Sequence, residues 1–255
     1  MSTADLVLAG LIFLVGLLYS CVGHAGASGY IAALTLMGMT GPELKSVPLV
    51  LNVLVAIIAT VQFRRAGHFS WSLFWPFAVT STPMAYLGRM VPVPDVVYQP
   101  LIGAVLLFSA WRIVAASLRP TEREVRPPAL GVALVAGAVL GFVAGMTSTG
   151  GGIFLSPLML LMGWAEPRKV SAVAAPFILV NSIAGILGLF SMRALHWPSA
   201  LPYWCIAAVV GGVIGAYLGS RKFDTRTIRR VLAAVLIIAG GKLLWLSIAP
   251  YVVHK

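Results

Sequence analysis

Residues 23–31 read Gly23-His-Ala-Gly-Ala-Ser-Gly-Tyr-Ile31, and they interrupt an apolar run that extends from Leu6 to Met39. Glycine in a helix interior costs about 1 kcal/mol relative to alanine, so this stretch weakens any ordinary helix. The whole apolar segment, 5–41, is also too long for one membrane span of about 20 residues. We interpret it as two shorter segments, or as one span plus a re-entrant piece, joined at the glycine-rich stretch.

The composition places the chain in a lipid bilayer. Of the 255 residues, 60% are hydrophobic and only 10% are charged, and the mean hydropathy is +0.97. These values lie outside the usual balance of a soluble domain. The sequence therefore predicts an all-α polytopic membrane protein. Seven further stretches are long and apolar enough to be predicted spans: 45–63, 70–89, 97–118, 129–146, 170–191, 199–219 and 230–249.

The second half of the chain repeats the first. The glycine-rich stretch at 23–31 lies over Gly145-Met-Thr-Ser-Thr-Gly-Gly-Gly-Ile153, and both are followed by a short apolar stretch that ends in Met-Gly. Asn52 and Asn181 occupy similar places in the next apolar segment. Further matches are Arg65-Ala-Gly-His68 with Arg193-Ala-Leu-His196, and Ala85-Tyr-Leu-Gly88 with Ala216-Tyr-Leu-Gly219.

The repeat defines the domain organisation. We predict an N-terminal membrane repeat at 1–118, a polar linker at 119–128 and a C-terminal membrane repeat at 129–255, because the strongly polar run SLRPTEREVRPP lies between the halves. Two internal repeats in a polytopic membrane protein are typical of secondary transporters, whose substrate site tends to lie where the repeats meet.

The distribution of Lys and Arg decides between parallel and inverted repeats. If 23–41 and 145–163 only re-enter, each half crosses four times, the repeats are parallel and the eighteen basic residues divide evenly between the two sides. If these segments cross, each half has five crossings, and thirteen basic residues fall on one side. The positive-inside rule favours this second arrangement, two inverted repeats of about five segments each, with helices broken at the glycine-rich motifs. The thirteen are Arg64, Arg65, Arg112, Arg119, Arg123, Arg126, Arg168, Lys169, Arg221, Lys222, Arg226, Arg229 and Arg230.

The two glycine-rich motifs are the candidate substrate site. A helix that begins just after each motif presents free N–H groups and the positive end of its dipole, which together attract an anion. Close packing of small residues is the alternative reading of the same glycines. His24 and the two asparagines are polar groups inside apolar segments, so they either contact substrate or bind helices together. The predicted substrate-binding residues are His24, Gly26, Ser28, Gly29, Asn52, Thr147, Ser148, Thr149, Gly150, Gly151, Gly152 and Asn181.

Taken together, these motifs resemble the sulfite exporter TauE/SafE family, also called the toluene sulfonate uptake permease family. The similarity covers the whole chain and is strongest at 145–158. It implies a multi-pass carrier of the bacterial inner membrane for sulfur-containing anions such as sulfite, thiosulfate or sulfoacetate. Its partners would be that small anion and the lipid bilayer, with a homo-oligomer left open. The first motif has His24 and spaced glycines where the second has three consecutive glycines, so the halves are not equivalent.

Other functional classes are less well supported by the sequence. The basic residues are scattered among segment ends rather than gathered in a patch, which argues against nucleic-acid binding. There is no paired-carboxylate, HExxH or clustered Cys/His pattern, so we predict neither an enzyme, nor a metal site, nor a cofactor. An anion channel is the main alternative to a carrier, since no sequence feature excludes it.

The charge distribution generates a topological prediction. With ten crossings and thirteen basic residues on the cytoplasmic side, both termini face the periplasm. A reporter fused to the C-terminus that is active only in the cytoplasm should stay silent, and one that is active only in the periplasm should be active. Activity of the cytoplasmic reporter would contradict the inverted arrangement.

Overall fold

The computed structural model describes residues 3–39, 42–91 and 125–224, together with scattered positions between 107 and 114 and between 226 and 245. Within these ranges the chain is all-helical, as predicted, and no described residue lies in a strand. The helices are α1 (Thr3–Ser20), α2 (Ala27–Leu36), α3 (Glu43–Arg65), α4 (Trp71–Met90), α5 (Leu130–Thr147), α6 (Gly152–Leu161), α7 (Pro167–Ser191) and α8 (Leu201–Tyr217), the last continuing through one π-helical turn, Leu218–Lys222.

Five of these helices are long and apolar enough to cross a membrane: α1, α3, α5, α7 and α8 with its π-helical turn. They account for the predicted spans at 45–63, 129–146, 170–191 and 199–219. Helix α4 has 20 residues but is not among the five, because its Ser, Thr and Pro residues lower its hydropathy. The span predicted at 70–89 therefore does not meet this criterion. The spans predicted at 97–118 and 230–249, and most of the linker, lie outside the described residues.

Helices α2 and α6 are short, with 10 residues each. At about 1.5 Å per residue each rises about 15 Å, roughly half the thickness of the hydrocarbon core. Each follows a non-helical stretch, at 21–26 and at 148–151, that contains part of one of the two glycine-rich motifs. Helix α2 packs against α3, and α6 packs against α7.

Two helix pairs form tight outer contacts, α1 with α8 and α4 with α5. In both pairs glycines let the backbones touch: a Cβ atom added to Gly145 would overlap the carbonyl group of Ala85, and one added to Gly215 would overlap that of Leu17. The order of these contacts along the chain gives the helix directions. Gly211 faces Phe13 and Gly215 faces Leu17, so α8 and α1 run in the same direction. Helices α4 and α5 are also parallel, since Gly137 faces Phe77 and Gly145 faces Ala85.

Helices α3 and α7 form the centre of the molecule and run in opposite directions. Half of the most apolar window of α3 is buried, and 67% of that of α7, the two highest shares among the spans. Gly185 packs on Leu49, and the amide of Asn52 bonds the hydroxyl group of Ser182. Further along α3, Ala59 shares a cluster with Ala175, which comes earlier in α7. The middle of the protein is thus built on an antiparallel pair that carries both asparagines.

The tight contact between α4 and α5 gives a stability prediction. Gly145→Val should destabilise the protein by about 1–3 kcal/mol, because the added side chain must push two backbones apart. Gly131→Val is the matched control, since Gly131 begins the same helix with no atom near its Cβ position. Thermal unfolding of the purified proteins in detergent would measure both. Equal melting temperatures would show that the two backbones do not touch as described.

Candidate functional site

The break between α5 and α6 is a tight turn that only glycine fits. Helix α5 ends at Thr147, and Ser148, Gly150 and Gly151 all adopt left-handed backbone conformations, with φ of 56°, 72° and 82°. A Cβ atom at Gly151 would lie 2.8 Å from the ring of Phe177 and 3.0 Å from the side chain of Ala144. Both the backbone angle and the packing therefore require glycine at this position.

Helix α6 begins inside the protein. Its first internal hydrogen bonds are those from the N–H groups of Phe154 and Leu155 to the carbonyl oxygen of Gly151, both 3.0 Å long. The N–H groups of Gly151, Gly152 and Ile153 precede them and have no acceptor within the helix. All three residues are buried. These N–H groups, with the positive end of the helix dipole, are the feature of the site that suits an anion.

Two central asparagines hold the 148–151 turn in place. The side-chain nitrogen of Asn52 lies 3.4 Å from the carbonyl oxygen of Thr149 and 3.3 Å from the hydroxyl oxygen of Ser182. The side-chain nitrogen of Asn181 lies 3.5 Å from the carbonyl oxygen of Gly150. Both side chains are buried. Their amide hydrogens thus point at protein oxygens. Of the two roles that the sequence left open, substrate contact and binding of helices, these contacts correspond to the second.

The hydroxyl groups of the second motif have protein partners. The Thr147 hydroxyl donates to the carbonyl oxygen of Val143 at 2.8 Å, and its oxygen lies 2.8 Å from the hydroxyl oxygen of Thr149. The Ser148 hydroxyl oxygen accepts a hydrogen bond of 2.6 Å from Arg89. With its oxygen so occupied, the Ser148 hydroxyl still has its own hydrogen to donate.

His24 links the first motif to helix α6, which follows the second motif. The Nε2 atom of His24 lies 2.7 Å from the hydroxyl oxygen of Ser156 on α6, and both side chains are buried. Gly23 packs on the backbone of Ser171 in α7, whereas the later residues of the motif contact α1. Ser28 forms a hydrogen bond of 3.0 Å with the hydroxyl group of Tyr19, and Gly26 and Gly29 both pack against Val15. The structure therefore brings His24, Asn52, Asn181 and the second motif together, whereas the described contacts of Gly26, Ser28 and Gly29 lie within the first half.

Arg89 is a site residue that the sequence analysis missed. It is 6% exposed and is the only buried Lys, Arg, Asp or Glu in the described part of the chain. Its guanidinium group donates to the Ser148 hydroxyl and lies 3.5 Å from the carbonyl oxygen of Met146, in the last turn of α5. The negative end of the α5 dipole stabilises a cation there. In the sequence Arg89 is only one more basic residue at a segment end, so nothing distinguished it from those that set topology.

The architecture and the site together define a multi-pass membrane protein with polar, broken helices at its centre, as in membrane transporters. The family model for the sulfite exporter TauE/SafE matches residues 8–243, so the chain belongs to this family, as the motifs predicted. The chain is 41% identical to the probable membrane transporter protein y4hK of Sinorhizobium fredii over 249 residues. This alignment covers 96% of the chain and all of the relative.

More distant relatives extend over much of the chain as well. The probable membrane transporter protein YjnA of Bacillus subtilis is 24% identical, over 95% of this chain and all of its own length. The sulfite exporter TauE/SafE family protein 3 of Arabidopsis thaliana is 24% identical over 190 residues, which are 71% of this chain and 37% of that protein. No solved structure matches the chain.

The turn at Gly151 yields a prediction with an internal control. Gly163 also has a left-handed backbone, with φ of 69°, but no atom lies near its Cβ position. Gly151→Ala and Gly163→Ala therefore share the backbone strain, and only the first adds a collision with Phe177 and Ala144. We expect Gly151→Ala to lower the free energy of unfolding by about 1–3 kcal/mol more than Gly163→Ala. Thermal unfolding in detergent measures the difference, and equal losses would mean that the turn is not packed as described.

Proposed function

We propose that the protein is a secondary transporter that moves small sulfur-containing anions, such as sulfite, thiosulfate, sulfoacetate or a related sulfonate, across the bacterial inner membrane. The observation that carries this proposal is the start of α6, whose free N–H groups lie buried between α5 and α7 beside the Arg89–Ser148 pair. The family membership supports the substrate class, because the family is described as sulfite exporters.

In this proposal the anion binds near the midplane at the second motif. The N–H groups of Gly151, Gly152 and Ile153 donate to its oxygens, and the hydroxyl groups of Ser148 and Thr149 lie beside them. Asn52 and Asn181 shape the turn, while His24 reaches the same helix through Ser156. From the first motif, Gly26, Ser28 and Gly29 place the start of α2, which is the second helix end of the site. Backbone donors recognise oxygen atoms of any small oxyanion, which agrees with a substrate class rather than one compound.

The helix directions support two inverted repeats with helices broken at the glycine-rich motifs. The sequence repeat pairs α3 with α7, and these two helices are antiparallel. It also pairs α1 with α5 and α4 with α8. The close contact between α1 and α8 therefore corresponds, in the other repeat, to the close contact between α5 and α4. A two-fold axis perpendicular to the helices produces this pattern, and it is the arrangement in which alternating access proceeds by movement of one repeat against the other.

The charges indicate which face of this bundle is cytoplasmic. The end of α3, the start of α7 and the end of α8 meet at one face, where His68 contacts the carbonyl oxygen of Ser220 and Arg168 contacts that of Phe223. Basic residues are concentrated there, and we place this face in the cytoplasm. The basic residues at these three ends are Arg64, Arg65, Arg168, Lys169, Arg221 and Lys222.

Arg89 then lies toward the periplasmic end of the site. Helix α4 starts at the cytoplasmic face, and Arg89 is in its last turn, next to the α7 residue Gly188 and the end of α5. A buried cation at this level raises the local concentration of anions and disfavours cations. We propose that Arg89 sets the preference for anions at the periplasmic entrance.

Transport in proteoliposomes tests the proposed function. Uptake of radiolabelled sulfite should saturate with concentration and should be inhibited by thiosulfate. The Gly151→Ala variant, reconstituted in folded form, should lose at least about tenfold in transport, equivalent to about 1.4 kcal/mol of anion binding, because the added methyl group disturbs the N–H groups. Gly163→Ala should retain transport.

Two results would count against this proposal. Sulfite flux that rises linearly without saturation or competition indicates a channel, the main alternative. Wild-type transport by folded Gly151→Ala would remove the start of α6 from the binding site.

A further inference from the structure

The two central asparagines use their N–H groups within the protein and leave their side-chain oxygen atoms without a donor. The nitrogen atoms face carbonyl oxygens of Thr149 and Gly150, which accept but never donate. Turning either amide round would place its oxygen 3.4 or 3.5 Å from a carbonyl oxygen, so these contacts favour the orientation described. The Oδ1 atoms of Asn52 and Asn181 are buried, and neither accepts a hydrogen bond from any residue that the structure describes.

Buried acceptors of this kind are costly. Each oxygen loses its hydration on burial and gains no hydrogen bond in return. Here two of them occupy matching positions of the two repeats, on the helices that form the centre of the protein. A fully deprotonated anion cannot satisfy them, because its own oxygens are acceptors too. The group that fits must carry positive charge or donate hydrogen bonds.

We propose that the side-chain oxygens of Asn52 and Asn181 bind a small monovalent cation, with Na⁺ as the fitting ion, which enters together with the transported anion. The inference rests on the proposed function. The same amides lie against other oxygen atoms through their nitrogens: the carbonyl oxygens of Thr149 and Gly150 and the hydroxyl oxygen of Ser182. In the proposal these neighbouring oxygens complete the coordination of the ion. Hard cations prefer such oxygen ligands, and unwound backbone in transporters commonly supplies them.

The charge of the surroundings links the cation to the anion. No Asp or Glu is buried among the described residues, and the buried charge nearest the turn is the positive Arg89. A cation bound at the asparagines therefore finds no buried carboxylate among the described residues to balance it, and the bound anion supplies the negative charge. Each ion then raises the affinity for the other by the same factor. The two ions would be carried as a pair.

Equilibrium binding to the purified protein in detergent tests this without relying on transport. The affinity for sulfite, measured by titration calorimetry, should be at least about fivefold higher in NaCl than in choline chloride at equal ionic strength. Asn52→Leu should bind sulfite equally in both salts. Gln62→Leu is the control, since it removes an amide from the cytoplasmic end of the same helix and should keep the sodium effect.

A second variant guards against a folding defect in Asn52→Leu. Asn52→Asp keeps an oxygen at this place and adds a carboxylate that balances the cation, so Na⁺ alone should raise its melting temperature. The wild type should need sulfite for the same rise.

The outcomes separate the two proposals. Sulfite binding with one affinity in sodium, potassium and choline salts would overturn the cation site and leave the transporter proposal standing. An affinity that changes with pH but not with sodium would also overturn it, and would assign the oxygens to a proton carried by the anion. Failure of both sulfite and thiosulfate to bind in every salt would overturn both proposals.

Discussion

Every backbone N–H and C=O group inside a membrane must find a partner within the protein, and the rest of this structure depends on that constraint. The chain leaves helical conformation twice in its apolar segments, at 21–26 and at 148–151. Both stretches are buried, the second beneath the amides of Asn52 and Asn181. The close pairs α1–α8 and α4–α5 form the walls, and glycines at their contacts let those walls approach. A non-helical turn inside the membrane is therefore costly, and the surrounding helices offset this cost by burying the turn and bonding its backbone groups.

The same constraint explains why the candidate site uses backbone groups. The start of a helix leaves N–H groups without internal acceptors, and an anion is a partner that satisfies them. Such donors bind an oxyanion without a fully charged pocket, which suits a carrier that must also release its substrate. Arg89 adds one positive charge in the last turn of α4, held by Ser148 and the end of α5 rather than placed at the turn itself. The unpartnered oxygens of Asn52 and Asn181 lie beside the same turn and have the opposite hydrogen-bonding character, which is the basis of the proposed ion pair.

Much of this architecture was predictable because it follows from local sequence. Apolar length gave α1, α3, α5, α7 and α8, and the glycine-rich motifs marked where α2 and α6 begin. The site could be predicted only as a set of residues. Arg89 was missed because its burial depends on Gly188 and Met146, which are distant in the chain. The direction of the Asn52 amide depends on the carbonyl group of Thr149, which is 97 residues later in the chain. For helix α4 the length was predicted but the environment was not: it is long enough for a span, while its Ser, Thr and Pro residues suit packing between α5 and α7.

The central claim is that the anion binds at the start of α6, and an anomalous difference map tests it most directly. Crystals of the protein grown with selenite, the heavier analogue of sulfite, would show the selenium atom itself. The account predicts a peak within hydrogen-bonding reach of the N–H groups of Gly151, Gly152 and Ile153, between α5 and α7. A peak confined to the basic residues of the cytoplasmic face, with none at the turn, would contradict it.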